Sequence, residues 1–277
     1  MPELPEVENV RATLAELVIG RTIEQVTIGV PKMIHGVDSQ QFAYNLIGEK
    51  FVDIRRRGKF LLLDTTNYTI LSHLRMEGKY RLTLDEEEKS KHTHVVFQLD
   101  GGQQLRYLDV RKFGTMEMVP LGQEETTRAI KKLGPEPFGE DFQLDVFTKA
   151  LSRSTRGIKN VLLDQKAVVG LGNIYVDEVC YVAKVNPIKP SNELNQTEVK
   201  RLYDATRSIL TEAVKLGGST IRTYVNSQGK IGNYQEKLVV YGHKGEPCPQ
   251  CGTEIEKIQY HGRGTHYCPA CQPLLRK

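Results

Sequence analysis

Four of the five cysteines in this chain lie within its last thirty residues, as two Cys-x-x-Cys pairs. Cys248 and Cys251 form the first pair, and Cys268 and Cys271 form the second after an interval of sixteen residues, 252–267. This spacing is typical of a tetrahedral site in which four thiolates bind one structural Zn²⁺. Because the tail is too short to bury a core of its own, the predicted metal would fold it. Thiolates fill all four positions, so any catalytic chemistry must lie elsewhere in the chain.

Between the two cysteine pairs, Arg263 is flanked by Gly262 and Gly264, a pattern that predicts the tip of a β-hairpin. The glycines would let the backbone approach a phosphate closely, and the guanidinium would bind that phosphate with two hydrogen bonds. The alternative is an ordinary solvated turn. Zinc ribbons also occur in ribosomal and transcription proteins, so the ribbon favours a nucleic-acid partner without establishing one.

The total charge is weak evidence for a partner, because 38 Lys and Arg residues against 34 Asp and Glu residues leave a net charge of only +4. No stretch of about 18 apolar residues is present. Acidic side chains at Glu3, Glu6 and Glu8 occupy the segment where a signal peptide would need positive charge. We therefore expect a cytoplasmic protein without a membrane partner.

Hydrophobic periodicity divides the chain into a β-rich half and a helical half. Residues 4–18 carry apolar side chains at helical spacing, and Gly20 ends that pattern. Four β-rich segments follow, at residues 22–30, 50–66, 68–84 and 94–119. Beyond a Gly- and Pro-rich break at 133–137, helical segments are predicted near residues 143–151, 157–165, 173–183 and 197–216. The pattern predicts an α+β multidomain protein that begins with a β-sandwich or barrel.

Residues 55–59 form a basic run, Arg55-Arg56-Arg57-Gly58-Lys59, inside a β-rich segment. Because neighbouring strand residues point to opposite faces, we expect Arg55, Arg57 and Lys59 on one face and Arg56 on the other. A face with three cations suits a phosphate backbone. The alternative is a solvated surface, which is the more common role of such runs.

Two further β-rich segments end in a glycine, and each predicts a turn that exposes side chains. The first is His73-Leu74-Arg75-Met76-Glu77-Gly78, and the second is Asp109-Val110-Arg111-Lys112-Phe113-Gly114. Met76 and Phe113, with Arg111 beside them, would insert into a duplex and fill the gap left by an extruded nucleotide. Alternatively, Met76 and Phe113 are ordinary core residues.

The sequence opens with Met1-Pro2-Glu3, and removal of Met1 would leave Pro2 with a secondary amine. An α-amino group has a pKa of about 7.7 to 8.0, against about 10.4 for lysine, so the terminal amine is the better nucleophile at neutral pH. Glu3 and Glu6 would donate or accept protons beside it. The alternative is a capped helix start with acidic residues near the positive end of the helix dipole.

Together these motifs resemble the formamidopyrimidine-DNA glycosylase family, along nearly the whole chain. They are Pro2-Glu3-Leu4-Pro5-Glu6-Val7-Glu8, Arg56-Arg57-Gly58-Lys59, His73-Leu74-Arg75-Met76, Val110-Arg111-Lys112-Phe113-Gly114, Leu133-Gly134-Pro135-Glu136-Pro137, Gly172-Asn173-Ile174-Tyr175 and Gly262-Arg263-Gly264-Thr265. The resemblance implies an N-terminal catalytic β-sandwich over residues 1–132. It further implies a helix-two-turn-helix domain with a base-recognition loop over 133–236 and a β-hairpin zinc finger over 237–277.

The resemblance also implies the activity and its residues. The expected enzyme is a bifunctional DNA glycosylase and AP lyase that removes oxidised purines, namely 8-oxoguanine and formamidopyrimidines, and nicks the strand by β,δ-elimination. Pro2 would form the Schiff base, Glu3 would donate a proton, and Lys59 and Arg263 would serve the two eliminations. DNA-binding residues would be His73, Met76, His92, Arg111, Phe113, Asn173 and Tyr241, and base-recognition residues Glu6, Glu77, Thr220, Arg222, Thr223 and Tyr224.

The expected partner is double-stranded DNA with oxidised bases or abasic sites, bound by a nucleoid-associated monomer. One departure from the family pattern is Thr155, where other members often have a lysine, and either Arg153 or Arg156 would have to replace its phosphate contact. Two other functions stay open at this point. One is the sister class of glycosylases that removes oxidised pyrimidines, and the other is a zinc-ribbon DNA-binding protein without catalysis.

Overall fold

The computed structural model describes residues 1–219 and 232–274. The chain divides into two compact units, each discontinuous in sequence. The first unit comprises Met1–Lys131 together with Gly217–Asn233. The second comprises Lys132–Leu216 together with Tyr234–Lys277.

The first unit begins with helix α1 (Leu4–Val18), which has the bounds that the apolar spacing predicts. Its apolar stripe is completely buried, with exposed fractions of 1% or less at Leu4, Val7, Val10, Leu14 and Val18. Gly20 follows with a φ of +87°, a conformation that ends the helix and that glycine adopts without strain. The buried stripe thereby fixes the start of the helix, which carries Pro2 and Glu3.

Among the described residues of this unit, nine strands build two sheets. They are β1 (Ile23–Ile28), β2 (Ile34–His35), β3 (Phe51–Arg57), β4 (Phe60–Thr65), β5 (Tyr68–His73), β6 (Lys79–Leu84), β7 (Thr93–Leu99), β8 (Gln103–Leu108) and β9 (Thr115–Pro120). One sheet has the order β1-β7-β8-β6, and the other has the order β2-β9-β5-β4-β3. The short β2 pairs with β9 in parallel, whereas the other neighbours are antiparallel.

The two sheets and α1 bury their apolar side chains in one shared core. The rings of Phe51 in β3 and Phe97 in β7 meet edge to face across it, with centroids 6.2 Å apart. Two antiparallel sheets that share a core in this way form a β-sandwich. The predicted sandwich is therefore confirmed.

Helix α2 (Ser39–Leu46) is an element that the sequence pattern did not predict. Asp38 caps it by accepting hydrogen bonds from the backbone N–H groups of Gln40 and Gln41, at 2.8 and 3.0 Å. Only Phe42 and Leu46 of this helix are buried. Two buried positions in eight residues give too weak a periodicity to indicate a helix, although Asp38 is a good N-cap residue.

In the part of the second unit that the structure describes, the main elements are four α-helices and a hairpin. The helices are α3 (Leu144–Ser152), α4 (Ile158–Leu163), α5 (Asn173–Val182) and α6 (Gln196–Lys215), and the hairpin strands are β10 (Glu256–Tyr260) and β11 (Arg263–Tyr267). Each helix lies within two residues of its predicted bounds. Across the described ranges, none of the helices has the length and hydropathy of a membrane span.

Glu178 in α5 joins the helices to the segment that precedes the cysteines. Its carboxylate accepts hydrogen bonds from three successive backbone N–H groups, those of Val239, Val240 and Tyr241, at 3.0, 3.0 and 2.8 Å. Only 2% of Glu178 is exposed, and burial raises the pKa of its carboxyl. The carboxylate fixes the path of the chain as it enters the cysteine-rich tail.

Candidate functional site

The start of α1 is buried and held by carboxylates. Glu3 and Glu6 are 2% and 4% exposed, and the backbone N–H of Glu3 donates to Glu6 Oε2 at 2.8 Å. The other oxygen of Glu6 accepts the backbone N–H of Ser219 at 2.7 Å. Pro2 is also buried. Glu6 therefore organises the backbone around the predicted nucleophile, as the capped-helix alternative expects, while Pro2 and Glu3 lie at the positive end of the helix dipole.

Only part of the basic run 55–59 lies in a strand, so the alternation that predicts three cations on one face applies to Arg55 and Arg57 alone. β3 ends at Arg57, and Lys59 lies in the turn to β4, next to Gly58 with a φ of +57°. Arg55 donates to Asp64 and, at 2.6 Å, to Glu124, and these hydrogen bonds raise the pKa of its guanidinium. Strand alternation cannot reveal such partners, because they lie on other elements of the fold.

Lys59 differs from the three arginines of the run in its position, because it lies in the turn between β3 and β4 and not in the strand. Lys59 is largely buried, with 6% of the residue exposed. Arg56 supports the same turn by donating to the Gly58 carbonyl oxygen at 2.9 Å and to Glu8 of α1 at 3.0 Å. The turn is thereby tied to the helix that begins next to Pro2 and Glu3.

His73, at the end of β5, is a neutral imidazole at neutral pH. Burial, with help from the nearby cations Arg75 and Lys59, lowers its pKa to about 3. Its Nδ1 accepts the backbone N–H of Arg75 at 3.0 Å, so the ring hydrogen lies on Nε2. The His73 side chain, which the resemblance assigns to DNA binding, would therefore act as an uncharged hydrogen-bond donor.

Met76 and Phe113 are exposed, which excludes the alternative that they are core residues. Their exposed fractions are 38% and 52%. The guanidinium of Arg111 lies over the Phe113 ring, 4.7 Å from its centroid, an arrangement that a cation–π attraction stabilises. A large apolar ring with a cation on its face is suited to stacking between bases.

Asp109 builds the turn that carries Arg111 and Phe113. Its carboxylate accepts the backbone N–H groups of Arg111, Phe113 and Gly114 at 2.9, 2.9 and 2.8 Å. The residue is 1% exposed. The sequence analysis missed this role, although an aspartate at the start of a Gly-terminated segment is a known signal for such a turn.

Two other predicted residues border these turns. His92 is half-buried, and its carbonyl oxygen accepts the backbone N–H of Asp109 at 3.0 Å. Glu77 is exposed beside Met76. Both residues therefore belong to the same surface region of the first unit as Met76, Arg111 and Phe113. The other predicted base-recognition residues lie outside the described residues, namely Thr220, Arg222, Thr223 and Tyr224.

In the second unit, Arg263 is exposed at the end of the β10–β11 hairpin. The connecting residues His261 and Gly262 have φ values of 44° and 75°, as a two-residue turn of the primed type requires. The Asn173 side chain donates to the Gly264 carbonyl oxygen at 3.1 Å. The structure thus brings Asn173 close to Arg263, because Gly264 directly follows Arg263 in the hairpin.

A buried ion pair supports the same hairpin. Lys159 Nζ donates to Asp177 Oδ1 at 2.8 Å and to the Gly264 carbonyl oxygen at 3.0 Å, and neither side chain is exposed. The other oxygen of Asp177 accepts the backbone N–H of His266 at 2.9 Å. The sequence analysis missed Asp177, because its partners are distant in sequence and no local pattern marks them.

Tyr241, the remaining predicted contact, is half-buried. Its backbone is bound to Glu178, and its ring lies 4.9 Å from that of His266. Near Thr155, Arg156 donates to Asp164 at 2.6 Å, whereas Arg153 is exposed at the end of α3. Arg156 already has a carboxylate partner for its charge.

The four cysteines of the tail have the arrangement of a tetrahedral metal site. Their sulfur atoms all lie within 4.8 Å of one another, and the Cys248–Cys271 and Cys251–Cys268 pairs are 3.8 and 3.5 Å apart. Thiolates around Zn²⁺ at 2.3 Å would be separated by about 3.8 Å, so the residues fit one zinc ion. Hydrogen bonds from Thr253 lower the pKa of Cys251 to about 6, which favours its thiolate, whereas burial raises the pKa of Cys268 and of Cys271.

Tyr181 of α5 connects the cysteine site to the helices. Its hydroxyl lies 3.3 Å from Cys248 Sγ, and its ring packs in a small core with Val240, Ile255 and Cys268. Hydrogen bonds of this kind orient metal ligands. The zinc therefore has a structural role, because the four cysteines leave no open coordination position.

Family profiles match three successive parts of the chain. The Formamidopyrimidine-DNA glycosylase N-terminal domain matches residues 1–116, and the Formamidopyrimidine-DNA glycosylase H2TH domain matches residues 133–225. The zinc finger found in FPG and IleRS matches residues 245–274. The order of the profiles follows the order of elements described above.

Full-length relatives are similar in sequence. A formamidopyrimidine-DNA glycosylase of Listeria monocytogenes is 59% identical over 272 residues, covering 98% of this chain and 100% of the relative. The protein of the same name from Bacillus cereus is 54% identical over 276 residues, covering 99% of this chain and 100% of the relative.

Two solved structures of Lactococcus lactis Fpg have the same fold. One is a complex of the wild-type protein (MutM) with DNA that contains N7-benzyl-Fapy-dG, with a TM-score of 0.93, 44% identity, and coverage of 99% of this chain and 100% of that chain. The other is a complex with DNA that contains an abasic site, with a TM-score of 0.93, 45% identity, and coverage of 98% and 100%. The chain belongs to the formamidopyrimidine-DNA glycosylase family.

Proposed function

We propose that this protein removes oxidised purines, such as 8-oxoguanine and formamidopyrimidines, from duplex DNA and then cleaves the strand as an AP lyase. The observation that carries the proposal is the buried Pro2-Glu3 pair at the start of α1, held by the carboxylate of Glu6. Membership of the family supports the same reading, as do the relatives crystallised with Fapy-dG and abasic DNA.

Pro2, after removal of Met1, is the nucleophile. Its neutral nitrogen bonds to the sugar C1′ while the glycosidic bond breaks, and the departing base takes up a proton. An α-amino group has a pKa of about 7.7 to 8.0, so a neutral, nucleophilic fraction is present near pH 7. Glu3 protonates the ring oxygen as the sugar opens, which leaves the iminium (Schiff base) between Pro2 and C1′.

Two eliminations then cleave the strand. The iminium acidifies C2′–H, loss of that proton expels the 3′ phosphate, and a second elimination expels the 5′ phosphate. We assign Lys59 to the first step. It is largely buried, and it lies in the same turn as Gly58, which Arg56 connects to Glu8 of α1. Arg263 serves the second step, because its exposed guanidinium at the hairpin tip is free to reach a phosphate.

Base extrusion precedes this chemistry and costs a few kcal/mol. Met76, Arg111 and Phe113 would together fill the gap in the duplex. His73, His92, Asn173 and Tyr241, with Lys59 and Arg263, would bind the DNA backbone, and Arg153 is better placed than the paired Arg156 to replace the contact missing at Thr155. Base recognition would fall to Glu6, Glu77, Thr220, Arg222, Thr223 and Tyr224.

The same proposal includes the division into domains at 1–132, 133–236 and 237–277. It also includes a monomeric state and a cytoplasmic location, at the nucleoid through DNA binding. The reaction requires a single copy of each catalytic residue, so one chain would be sufficient for it.

A trapping experiment tests the proposal. A labelled duplex with one 8-oxoguanine is incubated with the protein and sodium borohydride, which reduces the iminium to a stable amine. We expect a covalent protein–DNA adduct, and sequencing of the trapped peptide should assign the modified residue to Pro2. Glu3→Gln should lower the rate of adduct formation at least about a hundredfold, the usual contribution of a positioned proton donor, because ring opening produces the iminium that borohydride traps.

A matched set of duplexes separates the competing functions. Preferential nicking of a duplex with an oxidised pyrimidine would identify the sister class of glycosylases instead. Binding without any nick on a denaturing gel would leave a DNA-binding protein without catalysis. An adduct that persists when Pro2 is acetylated would remove Pro2 from the mechanism.

A further inference from the structure

The two turns that carry Met76 and Phe113 meet at a single hydroxyl group. A Cβ built on Gly78 would lie 2.2 Å from Tyr107 Oη, and a Cβ built on Gly114 would lie 1.6 Å from the same oxygen. Both distances are far below a permissible contact. The Tyr107 hydroxyl therefore occupies the space between the two glycine backbones, and any side chain at either glycine would displace it.

Tyr107 is itself fixed by the sheet beneath the turns. It lies in β8 with 1% exposure, opposite Tyr80 of β6, and the two rings meet at 5.1 Å and 61°. Tyr80 is equally buried, and its hydroxyl donates to Ser72 Oγ at 2.7 Å. The position of the Tyr107 oxygen is thus determined by packing within the sandwich.

Each turn is closed by its own hydrogen bonds. In the first, the backbone N–H of Gly78 donates to the Leu74 carbonyl oxygen at 2.9 Å. In the second, the carboxylate of Asp109 holds three backbone N–H groups. Each turn can therefore move as one piece, and the hydroxyl between Gly78 and Gly114 sets the separation of the two pieces.

We propose that Tyr107 is a positioning residue for base extrusion: its hydroxyl sets the spacing between the turns, so that Met76 and Phe113 enter the duplex together. The inference rests on the proposed glycosylase function. Without the oxygen, the gap between Gly78 and Gly114 would let the turns shift, and the two apolar side chains would no longer match the gap in the duplex. Chemistry on a base that is already unpaired would be unaffected.

The test compares Tyr107→Phe with wild type in single-turnover excision of 8-oxoguanine from two DNAs. One is a fully paired duplex, and the other holds the lesion in a one-nucleotide bulge, where extrusion costs less. We expect the substitution to lower the rate about tenfold on the paired duplex, a part of the extrusion cost of a few kcal/mol, and less than about twofold on the bulge. The fluorescence rise of 2-aminopurine next to the lesion should slow by the same factor.

Tyr80→Phe is the matched control, because it removes a buried tyrosine hydroxyl from the same pair but touches neither glycine. It should leave the ratio of the two rates at the wild-type value. An equal loss on both DNAs for Tyr107→Phe, or no loss on either, would overturn the inference. Absence of excision by the wild-type protein on both DNAs would instead refute the proposed function, so the two failures are distinguishable.

Discussion

The carboxylate of Glu6 accepts a hydrogen bond at 2.7 Å from the backbone N–H of Ser219, a residue 213 positions further along the chain. The same carboxylate accepts the backbone N–H of Glu3 at 2.8 Å. One buried side chain therefore satisfies two backbone donors that would otherwise lack a partner. A buried donor without an acceptor costs about 1–3 kcal/mol, so this interaction contributes to stability as well as to the local geometry.

Glu6→Ala should lower the free energy of unfolding by about 1–3 kcal/mol, because the N–H groups of Glu3 and Ser219 lose their acceptor in a buried site. Urea denaturation followed by circular dichroism measures the change. Glu16→Ala, on the exposed face of the same helix, should change the unfolding free energy by less than about 0.5 kcal/mol. Equal effects of the two substitutions would contradict the role of Glu6.

The lowered pKa of His73 predicts a dependence of stability on pH. The folded-state pKa is about 3, against the ordinary 6.5, so the unfolded chain binds a proton at pH values where the folded protein does not. The neutral ring is favourable above pH 6.5, and the free energy of unfolding falls as the pH decreases from 6.5 toward 3. One such proton contributes a slope of at most about 1.4 kcal/mol per pH unit.

His73→Gln should therefore flatten the decrease in unfolding free energy between pH 6.5 and pH 4.5, above the range in which most carboxylates titrate. Urea denaturation at several pH values provides the comparison. His35→Gln, which replaces an exposed histidine of the same unit, is the control and should retain the wild-type slope. A slope that His73→Gln leaves intact would mean that the ring is protonated in the folded protein.

From the four-cysteine site we expect one zinc ion per chain, which inductively coupled plasma mass spectrometry can measure. Removal of the ion by a strong chelator should abolish amide-exchange protection across residues 248–272, because the metal supplies the folding free energy of so small a hairpin. Cys268→Ser should lose the metal. Cys180→Ala replaces the cysteine that lies outside the cluster, and it should retain one zinc. Metal loss in both variants would show that the four sulfurs are not the ligands.

Because Arg55 is paired with Asp64 and Glu124, we expect DNA binding to depend on Arg263 and not on Arg55. Arg263→Gln should reduce the slope of log affinity against log salt by about 0.9, the value for one neutralised phosphate. Arg55→Gln should leave that slope unchanged, since its charge is already balanced by Asp64 and Glu124. Fluorescence anisotropy with an abasic-analogue duplex at several salt concentrations distinguishes them. A reduced slope for Arg55→Gln would show that Arg55 contributes its charge to DNA binding despite its two carboxylate partners.

Much of the fold was accessible from sequence because its signals are local. The stripe of α1 repeats at helical spacing, so both of its ends were predicted. The Cys-x-x-Cys pairs define the metal site by spacing alone, and the sulfur distances agree with it. Exposure of Met76 and Phe113 followed from glycines that end their segments.

The remaining features depend on partners far away in sequence. Neither the pairing of Arg55 with Glu124 nor the contact of Asp177 with His266 leaves a trace in the residues next to them. Helix α2 was missed for another reason, since only Phe42 and Leu46 report its period. Sequence periodicity indicates which face of an element is buried, and it does not indicate which side chain of another element meets that face.

The carboxylate of Glu178 in α5 accepts three backbone N–H groups and so attaches residues 239–241 to that helix. This attachment comes shortly after residues 217–233 in the chain. The length of the preceding stretch is therefore no constraint on the metal centre. A chimaera that exchanges residues 220–233 for those of a relative would keep the same anchorage for the hairpin.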